Sequence, residues 1–468
     1  MLTPLRSAIG PSLVLALCCS CTPDVTRNTT SPGARAMFDP TASIVPLPND
    51  LLLNPTNGHL ALPIDPALDS PLTQEIKANL DELDGWLTAQ TVTLPFDSLL
   101  DPATITPDSV ILVDAGPARQ APALSRMPAD SYFTAFNVGL APPTAAPFQV
   151  ILKNTSPGAG QAPRDFVQGH RYAAVVTNAV LGMDGLPIIG HPALEFLKST
   201  TPLVDGNGHS LTILSDAQAQ QLEVARANVY APMFDAMAAA GIVQRDAAVA
   251  FTVFSIQSGT RPVFNPTSAG TVLPTPNGIT GPAAPLDTTI NLVLDQPYEP
   301  TTVAAGTHVY KVGAALHEVA CVFQTSTTPD LNGDYPLQIT PNQPLDPSST
   351  YLVLLTSDVA TAGGVPAQPG PYFSLVRAQS QLIDETTNPA TLGSPFVDLT
   401  LDVLILLGKD PRNATPTNWS NAFTVLVSNL HGLEQLRLAY APLFDAATAA
   451  GIDRQQIVVL WSFTTAAQ

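Results

Sequence analysis

Basic residues are scarce in this chain: 19 Lys plus Arg stand against 38 Asp plus Glu, a formal charge of −19 over 468 residues. That balance repels nucleic acid and excludes electrostatic adhesion to anionic lipid. Cysteine is almost missing beyond the first 21 residues: Cys18, Cys19 and Cys21 cluster there, and Cys321 stands alone downstream. One leftover thiol closes no internal disulfide, so stability has to come from a buried core. The signatures of common chemistries are also missing. There is no Gly-x-Ser-x-Gly elbow, no complete His-Glu-x-x-His pair, no phosphate-binding glycine loop and no dinucleotide fingerprint.

What is abundant is proline, 47 residues of it, which punctuates short strands and opposes long helices. What is most informative is a duplication. Tyr230-Ala231-Pro232-Met233-Phe234-Asp235 with Ala239-Ala240-Gly241-Ile242 recurs as Tyr440-Ala441-Pro442-Leu443-Phe444-Asp445 with Ala449-Ala450-Gly451-Ile452, every matched pair 210 residues apart. Each copy runs into an aromatic and β-branched strand, 249–254 in one and 457–463 in the other. A chain that makes one unit twice leaves little room for a separate catalytic domain.

The first 21 residues read as a leader: Arg6 supplies a positive start, and residues 13–19 form an apolar stretch too short to span a bilayer. Ser20 directly before Cys21 is similar to a bacterial lipoprotein box, with Cys18 standing where the box carries Leu. The expectation is acylation of Cys21, the alternatives being cleavage at a neighbouring cysteine or plain secretion. Residues 22–36, rich in Ser, Thr, Pro and Asn, read as a flexible tether.

Alternating apolar stretches place strands at 92–96, 109–113, 148–152 and 172–177, at the spacing of a β-sandwich. Asn57-Gly58 marks a tight turn, and Gly85 reads as the stop of a short helix ending at 80–86. The second half repeats the order with strands at 307–312 and 351–356. The offset is 179 between Tyr172 and Tyr351 but 210 at the helix, which puts about 30 extra residues in the second copy, within 373–430. Ser215 with Gln218 makes a capping box, and Leu222, Ala225, Val229, Met233, Ala236 and Ala240 form an apolar stripe. Leu433, Leu436, Tyr440, Leu443 and Ala447 do the same in the second copy, with Gly241 and Gly451 as C-caps. Pro232 and Pro442 inside these runs predict a kink or a break into two short helices.

These residues carry a resemblance. Phe38-Asp39-Pro40, Pro48-Asn49-Asp50-Leu51-Leu52 and Leu83-Asp84-Gly85-Trp86 resemble the N-terminal region of bacterial surface lipases of the virulence-factor type. The strand, Leu-Asp-Pro turn and Tyr-led strand look like Ig-like modules associated with S-layer proteins. The ending Trp461-Ser462-Phe463-Thr464-Thr465 is similar to the segment that precedes the hydrolase in those lipases. The resemblance implies a lipid anchor, an outer-membrane or cell-surface address and β-sandwich modules. The hydrolase that carries the lipase chemistry has no counterpart here.

Isolated candidates weigh against their ordinary readings. Gly208-His209-Ser210-Leu211-Thr212 is the nearest approach to an elbow, but it ends in Thr and follows the turn 204–208, so Ser210 reads as a turn residue ahead of a helix. His317 and Cys321 would share a helical face for zinc, yet the context is strand, where i and i+4 lie about 13 Å apart; Cys321 reads as a buried core thiol. Asp330-Leu331-Asn332-Gly333-Asp334 has the oxygens of half a calcium loop without the bidentate Glu, and reads as a type I′ Asn-Gly hairpin. Asp81, Glu82 and Asp84 read as the wet face of a helix.

The sequence thus predicts a mainly β chain with helical additions (α+β): two tandem Ig-like sandwich units, each followed by a short kinked helix and a final strand. The divisions are a leader at 1–21, a tether at 22–36, a first unit at 37–258, a linker at 259–278 and a second unit at 279–468. Functionally it predicts a non-enzymatic cell-envelope lipoprotein, a spacer, adhesion or assembly module. The alternative is a lipase relative whose hydrolase is lost or resides on a partner chain. No catalytic residue, cofactor or metal ligand is assigned. The expected partners are the membrane, through lipidated Cys21, and an envelope protein or hydrolase; nucleic acid is excluded.

Overall fold

The computed structural model describes residues 33–38, 44–67, 69, 71–88, 90–118, 120–129, 131–139, 148–154, 166–264, 270–382 and 419–468, with side chains throughout except at 133, 135–139, 153, 154, 371, 372 and 419–430. The leader with Cys21, the tether up to residue 32, Asp39-Pro40 and most of the 373–430 insertion lie outside the described residues. Contacts divide the described chain into two compact units. Residues 33–63 and 85–257 form the first; residues 64–84, 258–382 and 419–468 form the second. Helix α1 (Pro71–Leu80) therefore belongs to the second unit although it precedes nearly all of the first.

The first unit contains β1 (Val92–Phe96), β2 (Val110–Pro117), β3 (Ser125–Arg126), β4 (Tyr132–Gly139), β5 (Phe148–Asn154), β6 (His170–Thr177) and β7 (Ala248–Ser255). They form two antiparallel sheets, ordered β1-β5-β4 and β3-β2-β6-β7. Strands β6 and β7 are buried along nearly their whole length because both faces are covered. Ile111, Val113, Ala173, Val175, Phe251 and Val253 pack with the helical Tyr230, Met233, Phe234 and Met237. Alternation sends Leu112, Ala174, Val176 and Phe254 to the opposite side, fully buried. On that side Tyr132 of the smaller sheet donates its hydroxyl to the Val110 carbonyl at 3.2 Å. Double coverage is why these strands read as unbroken apolar runs.

The second unit repeats the plan with β8 (Ile290–Leu294), β9 (Thr307–Lys311), β10 (His317–Glu318), β11 (Cys321–Thr325), β12 (Tyr335–Pro341), β13 (Thr350–Thr356) and β14 (Ile457–Thr464). Its sheets are ordered β8-β12-β11 and β10-β9-β13-β14, the same permutation as in the first unit. The free edge of β1 is extended by bridges from Ala36 and Leu47, and that of β8 by bridges from Pro262 and Leu273. Pro262 and Leu273, within the 259–278 stretch read from composition as a linker, thus contribute to this sheet.

Further coincidences are local. A register shift falls between Val176 and Thr177 in β6 and between Leu355 and Thr356 in β13. Tyr172 stacks on Phe254 and Tyr351 on Phe463, each with centroids 5.7 Å apart and planes at 21°. The Tyr172 hydroxyl accepts from the Val167 N–H at 3.0 Å, and that of Tyr351 from the Asp346 N–H at 2.8 Å, each five residues upstream.

The helices differ more. In the first unit, short α2 (Pro192–Leu197) precedes α3 (Asp216–Ala225), a π turn at Arg226–Tyr230, and α4 (Ala231–Ala239). The Ser215 capping box forms as the spacing predicts. The second unit has α5 (Pro300–Gly306), α6 (Pro371–Arg377) and a single 31-residue α7 (Trp419–Ala449) that runs through Pro442. The expected short kinked helix therefore fails for the second copy. The π turn also moves the buried stripe of the first: beyond Leu222 the fully buried positions are Tyr230, Met233, Phe234 and Met237, while Val229 is only partly covered. Gly241 and Gly451, with φ of +68° and +90°, end both helices, and Ile242 and Ile452 donate back to Met237 and Ala447.

Gly85 is not a helix stop. Helix α1 ends at Leu80, and Gly85 lies where a Cβ would come within 2.7 Å of the Gln257 nitrogen. Glycine is needed for the backbone crossing, since Trp86 N–H donates to Ser255 O and Gln257 N–H to Trp86 O.

Candidate functional site

The structure accounts for each residue singled out from sequence. Ser210 lies between a turn and the start of α3. Its Oγ accepts from the Thr212 N–H at 3.1 Å and lies 3.1 Å from the Thr212 hydroxyl. His209 does not face it: the imidazole Nδ1 sits 3.2 Å from Asp216 Oδ2, and that carboxylate raises the exposed His209 above its ordinary pKa. Asp216 also accepts the Ser210 N–H at 2.7 Å, and these bonds hold it below the usual carboxylate range. The three residues form a loop clasp, with the Ser hydroxyl bonded to Thr212 and not to the His.

His317 and Cys321 stand on separate strands, β10 and β11, as the strand context predicts. His317 pairs across to Lys311, and Glu318 holds His308 at 2.9 Å. Cys321 is half-buried, not fully so; burial and nearby Glu318 push its thiol up to about 11, which keeps it protonated and unreactive. At 330–334 the turn differs from the expected type I′, which needs positive φ at both central residues. Only Gly333 has it, at +90°, and the Asp330 Oδ1 accepts from the Asn332 and Asp334 N–H groups at 2.8 and 3.1 Å. No cluster of three or more metal-ligating side chains occurs among the described residues.

The acids after α1 are not a wet face. Asp84 is buried and accepts from the Ser258 N–H at 2.8 Å, while Glu82 pairs with the buried Arg377 guanidinium at 3.0 Å. The helix ends before them, so helical spacing did not apply.

Among the described residues the carboxyl raised furthest is that of Asp50, which the sequence offers only as part of a motif. It lies in a short 3-10 turn, Asp50–Leu52, capped by Asn49. Its oxygens accept from Ser255 N–H at 2.6 Å and Ser255 Oγ at 2.8 Å, and Arg171 Nε lies 3.3 Å away. Asn49 accepts the Tyr230 hydroxyl at 3.1 Å, and Thr252 Oγ donates to Pro48 O at 2.5 Å. Burial pushes the Asp50 carboxyl up to about 6 against the pull of Arg171 and the Ser255 bonds. Ser255 gives its hydroxyl proton to this acid in a buried site and has no imidazole partner. The cluster fastens residues 48–50 to β7 and offers no opening to a substrate.

A second arrangement, absent from the sequence reading, occurs twice. Glu223 binds Arg226 in two bonds of 2.8 and 2.6 Å, accepts the Leu203 N–H at 2.8 Å, and Arg226 reaches Ser199 O at 3.1 Å. Glu434 binds Arg437 at 2.8 and 2.5 Å, accepts the Leu382 N–H at 2.8 Å, and Arg437 reaches Gln379 O at 3.1 Å. Behind each clasp an arginine sits over a phenylalanine, Arg245 over Phe234 and Arg454 over Phe444, and donates to carbonyls at the end of the preceding short helix. The signal was a Glu-x-x-Arg spacing just ahead of each duplicated Tyr-Ala-Pro. All of these groups tie helices to loops.

No described helix is long and apolar enough to cross a membrane. No family model matches this chain, and none of the curated proteins matches it.

Proposed function

We propose that this chain is a lipid-anchored, non-enzymatic protein of the bacterial cell envelope, two Ig-like modules held off the membrane as a spacer, adhesion or assembly element. The observation that carries the reading is the doubled tyrosine corner. Tyr172 and Tyr351 each lie near the start of a strand of the four-stranded sheet and accept a backbone N–H five residues upstream, a device associated with Ig-like sandwiches. The identical sheet permutation in both units supports the same reading. A non-catalytic role is favoured by how the polar side chains are engaged: Ser210 bonds within its own turn, Ser255 and Asp50 bond each other in a buried site, and Asp84 holds the Ser258 N–H. The anchor rests on Ser20-Cys21 after the apolar leader.

Mass spectrometry of the exported protein tests the anchor. An acylated Cys21 is expected, with membrane recovery that survives high salt, because each buried CH₂ contributes about 0.8 kcal/mol that ions do not screen. An unmodified N-terminus on a chain that stays soluble overturns it. Hydrolysis of a short-chain ester is expected to be at the buffer rate. Activity that falls to background in Ser210→Ala would overturn the non-enzymatic reading.

A further inference from the structure

The described chain enters the first unit beside an apolar surface turn. Residues 33–36 run alongside 186–189: Ile189 N–H donates to Ala34 O at 3.0 Å and Ala36 N–H to Ile189 O at 2.9 Å. Between Leu181 and Pro187 the chain folds back in a tight turn, with Gly182 N–H donating to Leu186 O and Gly185 at φ +74°. The 99–101 segment flanks the other side, where Met183 N–H donates to Leu99 O at 3.2 Å. Three segments thus converge, and each large apolar side chain at their rim faces solvent: Met183 is 63% exposed, Leu186 and Ile189 44%, and Leu99 43%. The turn itself, 183–187, carries one charge, Asp184, whose Oδ1 accepts the Leu186 N–H at 3.0 Å.

We infer that Leu99, Met183, Leu186 and Ile189 form a lipid-contacting foot that rests in the bilayer interface and orients the first unit on it. The inference builds on the proposed anchor at Cys21. What selects lipid as the occupant is where the chain enters. Gly33 is 12 residues from Cys21, a distance that spans at most about 40 Å even fully extended, so an acylated chain keeps this turn within reach of the membrane. Gly33 itself touches the turn, lying where a Cβ would come 2.7 Å from Pro187 O and 3.1 Å from Leu186 Cβ. Shallow insertion of a few apolar side chains adds to a single anchor without needing basic residues, which suits a chain of net charge −19. Asp184 at the rim favours zwitterionic over anionic lipid.

The test places an environment-sensitive fluorophore on Met183→Cys in the full exported chain, with Cys321→Ser removing the native thiol. Val167→Cys is the comparison: it is 52% exposed and precedes β6, while the turn follows it, so the two sites lie about 25 Å apart along the strand. On phosphatidylcholine vesicles the label at 183 should shift to the blue and be quenched by nitroxide lipids. The label at 167 should stay aqueous, and Leu186→Glu should abolish the signal at 183. Equal, water-like signals at both sites overturn the inference. So does a blue shift at 183 that needs no vesicles and grows with protein concentration, which would give the patch to a second copy of the chain. Mass spectrometry on the same sample reads the anchor separately. If Cys21 carries no acyl group, a hexahistidine tag in place of the leader, on nickel-chelating lipid, reads contact at 183 independently of that anchor.

Discussion

The two units carry a corresponding helical segment beside the same sheet plan, and between its Glu-x-x-Arg clasp and its buried tyrosine they differ by one residue. Glu223 and Arg226 lie 211 residues before Glu434 and Arg437, whereas Tyr230 lies 210 before Tyr440. The change of offset falls inside Arg226–Tyr230, which is where the first unit widens into a π turn and the second stays α-helical. A single extra residue is the usual content of such a bulge. Both sides of it are preserved: the clasp ahead is bonded identically, and Tyr230 and Tyr440 behind are both buried. The helix therefore absorbs an insertion by local widening while the contacts on which the fold depends stay in place.

If the clasps are such contacts, breaking one should be costly, and the cost should follow burial. Glu434 is 1% exposed and its removal strands buried Arg437 and the Leu382 N–H, so Glu434→Ala should lose about 3–5 kcal/mol in denaturant unfolding. Glu223 is more accessible, at 17% of its side chain, and Glu223→Ala should lose roughly 1–3 kcal/mol. Equal losses would mean that solvent does not distinguish the units.

Asp50 marks a difference of chemistry. Its native carboxyl holds a proton to higher pH than the unfolded one, so its contribution to stability declines as pH rises from 3.8 through about 6, at up to about 1.4 kcal/mol per pH unit. Asp50→Asn keeps an acceptor for the Ser255 N–H and removes the titration. Unfolding free energies measured from pH 4 to 7 should show that decline in the wild type minus the variant; parallel curves would place the group's pKa at its ordinary value.

The tyrosine corners should be equivalent. Tyr172→Phe and Tyr351→Phe each remove one acceptor for a backbone N–H and should each cost about 1 kcal/mol. The smallest effect is expected where the units differ. Deleting exposed Asn228 should convert the π turn to the α-helix of the second unit and change stability by less than about 1 kcal/mol, the size of a surface change. A molten first unit in that deletion would show that the extra residue is built into the packing.

The sequence made the repeat legible because strand and helix patterns survive at fixed offsets: 92–96 is β1 to the residue, and both terminal strands fall where the aromatic and β-branched runs predict. The clasps were less legible, since Glu-x-x-Arg on a helix is an ordinary surface pair until burial is known. Gly85 misled because a glycine that ends a helix and one that admits a second backbone look the same in sequence. The π turn was visible only as a one-residue slip between two offsets. Asp50 gave no signal of burial, because a carboxylate beside Asn and Leu is usually solvated.

Helix α1 has a consequence for the order in which this protein is made. Its Leu72, Ile76 and Leu80 are buried in the second unit, and Glu75 accepts the N–H groups of Gln379 and Ser380, some 304 and 305 residues away in sequence. Ten residues are too few for a stable helix alone, and so distant a closure is slow. During synthesis α1 emerges early and has to wait, with its apolar side uncovered, until the chain near residue 380 arrives. A fragment that stops after the first unit keeps that uncovered segment and is expected to aggregate, while one that begins after it lacks the lid over Arg377. The first half of the gene thus encodes one segment more than its own unit, and the second half one segment fewer.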